Sequence, residues 1–154
     1  MRKNLLFIII FAFGVIFAAD ASAQTVSGSI SKGAARKGRV TRGYVVLRIP
    51  KGLHVNSYRP KSEYAIPTRV SISGVGARAY GVTYPPGKMR KFSFSDDPIS
   101  VYEGKAVFGF KVTVPKNSKR KTIKVKANVR YQACTDEVCY APRTKTIWIT
   151  ARVR

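Results

Sequence analysis

From residue 122 to residue 132 apolar and polar side chains alternate without a break. Ile123, Val125, Ala127, Val129 and Tyr131 are separated by Lys124, Lys126, Asn128 and Arg130, with Gln132 at the end. A period of two belongs to a strand with one dry face and one wet face. Phe108, Phe110, Val112 and Val114 alternate in the same way within a strand expected over Ala106 to Val114. Further runs of β-branched and aromatic residues, at Tyr44 to Ile49, Thr68 to Ser73, Arg78 to Tyr84, Ser100 to Tyr102 and Lys145 to Val153, are short and broken by Pro and Gly. These also read as strands. No segment carries a convincing helical period, and no repeat is present. Many short strands between turn signals predict an all-β domain, a β-sandwich of immunoglobulin-like type.

The first residues stand outside this pattern. Arg2 and Lys3 precede an apolar run from Leu5 to Ala19, and Ala21-Ser22-Ala23 offers small residues for cleavage. That layout is a secretory signal peptide over residues 1–23. The run is shorter than the roughly 20 residues a spanning helix needs, which weighs against an uncleaved anchor. No cysteine follows it to carry a lipid. The expected product starts at Gln24, is exported, and is soluble in the periplasm. Residues 24–42 are rich in Gly, Ser, Lys and Arg and predict a flexible basic arm. The remaining 43–154, in a chain that is 45% hydrophobic, suit one domain with one core.

Charge changes the picture next. The chain has 29 Lys and Arg against 7 Asp and Glu, a formal +22, or +21 without Arg2, Lys3 and Asp20. Such a field favours anionic neighbours, among them an envelope surface. Nucleic acid is not expected as a partner, because the chain is exported. Its cations are also spread out, as in Lys116-Asn117-Ser118-Lys119-Arg120-Lys121, rather than set in a reading motif. The basic runs lack interleaved aromatics. Attachment to anionic vesicles is therefore expected to be weak and to vanish by physiological salt.

The chemistry centres on Cys134 and Cys139, which flank Thr135-Asp136-Glu137-Val138 and are the two cysteines of the chain. Across a hairpin with a four-residue loop they would face each other. Opposed β-carbons lie about 4.5–5.5 Å apart and a disulfide wants about 3.5–4.5 Å, so a small adjustment allows the bond. Export keeps such a pair oxidised at least part of the time. As a staple, a six-residue ring contributes only about 2 kcal/mol. Two cysteines and one histidine, His54, cannot assemble a four-ligand thiolate and imidazole site, so no metal or cofactor is expected. Nothing in the sequence sets His54 beside a nucleophile. Two readings remain: a redox centre, or a clamp on a non-catalytic envelope-binding module. A reduction potential below about −300 mV would suit the clamp and a more oxidising one would suit exchange.

The register of this hairpin contains a conflict. Continued without interruption, Cys134 opposite Cys139 sets Val125 opposite Trp148, which turns Trp148 inward and Ile147 and Ile149 outward. One extra residue near Ala141-Pro142 would swap the faces. Pro142 cannot donate a ladder hydrogen bond, so an irregularity is predicted there.

Tyr131-Gln132-Ala133-Cys134, the acidic loop, and Cys139-Tyr140 followed by Pro142 and Thr144-Lys145-Thr146 resemble the active hairpin of the amino-terminal periplasmic domain of the thiol:disulfide interchange protein DsbD. Gly52 to Ser57 and Val101 to Gly104 are similar to its early strand and to the segment after its cap loop. The likeness covers roughly residues 40 to 153. The loop is one residue shorter than in the best-known members, and Ala141 stands where proline is common.

The resemblance implies an immunoglobulin-like sandwich whose hairpin disulfide exchanges with partners. The implied donor is a thioredoxin-like or membrane disulfide reductase, reached in trans, and the implied acceptors are periplasmic disulfide proteins. Cys139 matches the cysteine that forms the intermolecular bond, and Cys134 the resolving one. Phe94, His54, Asn56 and Tyr102 match the cap or the lining of the site. Within the cap segment Phe94, or failing that Phe92 or Ile99, is expected to pack against the sulfurs.

Overall fold

The computed structural model describes residues 24–154; the expected signal peptide lies outside the described residues. Twelve strands follow in order: β1 (Thr25–Ile30), β2 (Ala34–Ala35), β3 (Val40–Arg48), β4 (His54–Asn56), β5 (Arg69–Val75), β6 (Arg78–Thr83), β7 (Lys88–Arg90), β8 (Ile99–Tyr102), β9 (Lys105–Thr113), β10 (Thr122–Tyr131), β11 (Ala133–Cys134) and β12 (Arg143–Val153). They form three four-stranded sheets, ordered β1-β3-β9-β6, β2-β12-β10-β5 and β11-β4-β8-β7. The fold is the all-β, immunoglobulin-like sandwich that the alternation predicts.

The alternating strands supply the core. Phe108, Phe110 and Val112 of β9 and Ile123, Val125, Ala127, Val129 and Tyr131 of β10 are buried in one cluster, together with Val45, Leu47 and Ile149. Each such large side chain contributes about 1.5–3 kcal/mol by leaving water.

Residues 24–42 depart from expectation, because they are not a flexible arm. β1 pairs with β3 from Thr25 opposite Arg48 to Ile30 opposite Gly43. Ile30 is fully buried, and Gln24 accepts a 3.4 Å hydrogen bond from the Tyr131 hydroxyl. One of the small residues that suggest a linker, Gly28, is there for close approach. A β-carbon on Gly28 would lie 2.5 Å from Ile149 Cδ1 and 2.9 Å from the Tyr44 carbonyl oxygen.

The predicted irregularity is present. Tyr131 pairs with Arg143 and Val125 with Ile149, one step away from the register that Cys134 opposite Cys139 would propagate. The extra residue falls between Cys139 and Arg143, where Tyr140, Ala141 and Pro142 lie outside the strands. Ile149 is consequently buried and Trp148 is 56% exposed.

The third sheet positions the site. All three residues of β4 and all four of β8 are buried. On one face Val55, Tyr102 and Ala133 join the main core. On the other Ile99 and Val101 form a second, smaller cluster with Phe92, against which Ala65 packs.

Candidate functional site

β10 ends at Tyr131 in the second sheet, and two residues later the same chain pairs in the third. Ala133 lies opposite Val55 and Cys134 opposite His54. Gln132 is the pivot. Its Oε1 accepts from Asn56 Nδ2 at 3.3 Å, and its Nε2 donates to the Tyr140 carbonyl at 3.1 Å. Asn56 Nδ2 also donates to the Ile66 carbonyl at 3.1 Å. Asn56 therefore anchors both arms of the hairpin to β4.

The cysteines are bracketed by two backbone hydrogen bonds, Thr135 N–H to Val138 O at 2.8 Å and Tyr140 N–H to Ala133 O at 2.9 Å. That makes them a non-hydrogen-bonded pair, the ladder position where opposed residues come closest, about 4.5 Å between α-carbons. Their α-carbons are 4.0 Å apart and the sulfurs are bonded. Thr135 Oγ1 closes the loop by accepting from the Glu137 and Val138 N–H groups at 3.2 and 3.0 Å.

The two sulfur residues have different surroundings. Cys134 lies in the third sheet and is 0% exposed. Cys139 stands on the return arm, where it is exposed. It lines a cavity of about 230 Å³ together with Asn56, Tyr64, Phe94, Ile99 and Gln132.

His54 shares the face of Cys134. Its ring is 3% exposed and stacks on Phe92 at 4.4 Å between centroids, and Phe92 stacks in turn on Phe94 at 5.1 Å. Phe92 and Ile99 fill the small cluster. Phe94, 47% exposed, is the outer plate of the stack and lines the cavity at Cys139. Burial lowers the His54 pKa below its ordinary 6.5; Asp136 and Glu103 oppose the shift, and Arg90 adds to it. Asp136 Oδ1 sits 4.0 Å from His54 Nδ1 and 3.3 Å from Arg90 Nη2. Arg90 also pairs with Glu103. Glu103 is held at a tight turn between β8 and β9 by Gly104, whose φ of +62° is a conformation glycine adopts at no steric cost.

Arg90 and Glu103 escape sequence reasoning, since single charges thirteen residues apart carry no pattern. Tyr102 is a correction. It lies opposite Val55 in the main core, and its hydroxyl donates to the Pro85 carbonyl at 3.0 Å and accepts from Tyr58 N–H at 3.2 Å. Strand alternation gives the disulfide face to Val101 instead. Among the described residues no group of three His, Cys, Asp or Glu side chains is arranged to hold a metal ion.

Residues 30–151 match the family described as thiol:disulfide interchange protein DsbD, N-terminal. The chain belongs to the DsbD N-terminal family. Its role is the one typical of DsbD N-terminal domains, thiol–disulfide exchange in the periplasm, and it carries the hairpin disulfide that such exchange requires. Redox exchange with partner proteins follows from this membership. Among solved structures, the DsbD N-terminal domain of Neisseria meningitidis in its reduced form is similar, with 17% identity and a TM-score of 0.44 over 71% of this chain and 80% of that one. The N-terminal periplasmic domain of ScsB from Proteus mirabilis is similar over 82% of this chain and 44% of that one, with 9% identity and a TM-score of 0.49. No curated protein matches the chain.

Proposed function

We propose that Cys139 is the sulfur that exchanges with partners and Cys134 the one that resolves. The observation carrying this reading is the contrast between a fully buried Cys134 and an exposed Cys139. Exchange begins with in-line attack of a thiolate on one sulfur of a disulfide, so access selects the sulfur attacked. A reducing partner's thiolate attacks Cys139 Sγ; the bond to Cys134 breaks, and Cys134 leaves as a thiolate that takes up a proton. The partner's second thiol attacks its own sulfur in the mixed disulfide, releasing Cys139 reduced and the partner oxidised. Passing the two electrons on reverses the roles: the Cys139 thiolate attacks an acceptor disulfide, and Cys134 displaces the acceptor and restores the intramolecular bond. The donor in this reading is a thioredoxin-like or membrane disulfide reductase, and the acceptors are periplasmic disulfide proteins.

The remaining roles follow from position. The stack from His54 through Phe92 to Phe94 supports Phe94 as the gate over Cys139, with His54 as its buried floor. Asn56, through Gln132, keeps the return arm in place. Asp136 opposes a nearby thiolate, and its pairing with Arg90 moderates that effect.

The test is a covalent trap. Cys134→Ser, expressed in the exporting cell, is expected to accumulate thiol-sensitive adducts, and Cys139→Ser to form few. If neither variant gives adducts while both stay folded, the disulfide is a clamp and the exchange assignment fails.

A further inference from the structure

We infer that the outer face of the β5–β10–β12 layer docks on an anionic phospholipid surface through Trp148 and the cations around it. β10 presents Lys124, Lys126 and Arg130 on this face, and β12 sets Trp148 directly opposite Lys126. The indole is 56% exposed and the Lys126 ammonium lies 6.0 Å from its ring centre. Exposed Val75 pairs with Lys124 on the same face. The aromatic interleaving that the linear sequence lacks is thus supplied across strands. A half-exposed indole among lysines is the arrangement of an interfacial anchor, with its ring at headgroup depth and its cations on the phosphates.

Two observations point to an anionic occupant. Arg130 lies directly opposite Arg69, whose guanidinium is held by the Tyr58 carbonyl at 2.7 Å. Like charges directly opposed in a sheet are destabilising, and an anion between them relieves the repulsion. The acidic residues of the described chain, moreover, are elsewhere. Glu103 and Asp136 line the cavity at His54, and Glu63, Asp96, Asp97 and Glu137 lie within two residues of side chains lining that cavity or the one at Cys139. The sheet face is left with uncompensated positive charge. β10 runs off this face into the cysteine hairpin, so a bound domain keeps its disulfide beyond the contact.

Trp148 is the one tryptophan of the chain and reports the contact directly. With phosphatidylglycerol–phosphatidylcholine vesicles at about 0.15 M salt, the expected result is a blue-shifted emission that brominated acyl chains quench. The triple variant Lys124→Gln, Lys126→Gln, Arg130→Gln is expected to bind about a hundred-fold more weakly, at about five-fold per cation. A charge-matched control, Arg36→Gln, Arg39→Gln, Arg42→Gln, removes cations from the groove lined by Lys32, Arg36, Arg39, Arg42 and Arg154. It is expected to lose less than about five-fold. An absent shift overturns the proposal, as does equal loss in both triple variants. So does a shift with soluble polyphosphate but not with vesicles, or one that grows with protein concentration without lipid, which would assign the face to a second copy of the chain.

Discussion

The β10–β12 ladder and its tip are parts of one hairpin built on opposite principles. Along the ladder ten consecutive pairs keep one register, from Thr122 opposite Arg152 to Tyr131 opposite Arg143, and one face of β10 is dry throughout. At the tip the chain changes sheet at Gln132, slips by one residue between Cys139 and Arg143, and closes a six-residue ring around the disulfide. The regular part supplies stability. The interrupted part supplies an asymmetric pair of sulfurs, one buried and one exposed, which a continuous ladder would not produce.

Replacing a side chain beneath the ladder should therefore cost far more than opening the tip. Phe108→Ala, fully buried against the core, is expected to lose about 3–5 kcal/mol in denaturant unfolding. The double replacement Cys134→Ser, Cys139→Ser should lose only about 2 kcal/mol, the entropy of its small ring. Equal losses would mean that the disulfide is a main support of the fold.

The buried floor of the tip should show in the pH dependence of stability. Between the lowered folded pKa of His54 and its ordinary 6.5 the unfolded chain holds a proton that the folded chain does not. Stability is therefore fully present above 6.5 and is lost as pH falls through the folded value. One such group contributes a slope of at most about 1.4 kcal/mol per pH unit. Melting at pH 5 and 7 should show a larger acid loss in the native protein than in His54→Gln. Parallel losses would place the acid sensitivity elsewhere.

The smallest effect on stability, and the most specific one on reactivity, belongs to the stack. Phe94 is half-exposed, so Phe94→Ala should cost less than about 1 kcal/mol. Reduction of the disulfide by a small thiol should accelerate several-fold. An unchanged rate would remove Phe94 as the gate and leave the buried Phe92 as a filler of the small cluster.

The same division explains what was legible in the sequence. Alternation exposes the dry faces of β9 and β10, and the conflict between Trp148 and Ile149 reveals the slip near Pro142. β1 is hidden because Gly28, which lets the strand approach Ile149 and Tyr44, has the composition of a linker. Tyr102 is misassigned because β8 is covered on both sides. With all four residues buried, no polar position marks which face meets the disulfide. Arg90, Glu103 and Asp136 come together only through the third sheet and its turns.

The two sulfurs differ in exposure, Cys134 buried and Cys139 exposed, and one measurement addresses that difference without a natural partner. Oxidised protein is mixed briefly with glutathione, quenched with acid, and the mixed disulfide is located by peptide mass spectrometry. Nearly all of the adduct is expected on Cys139, with the Cys134 thiol released. Adduct on Cys134, or equal amounts on both cysteines, would contradict the assignment of Cys139 as the exchanging sulfur.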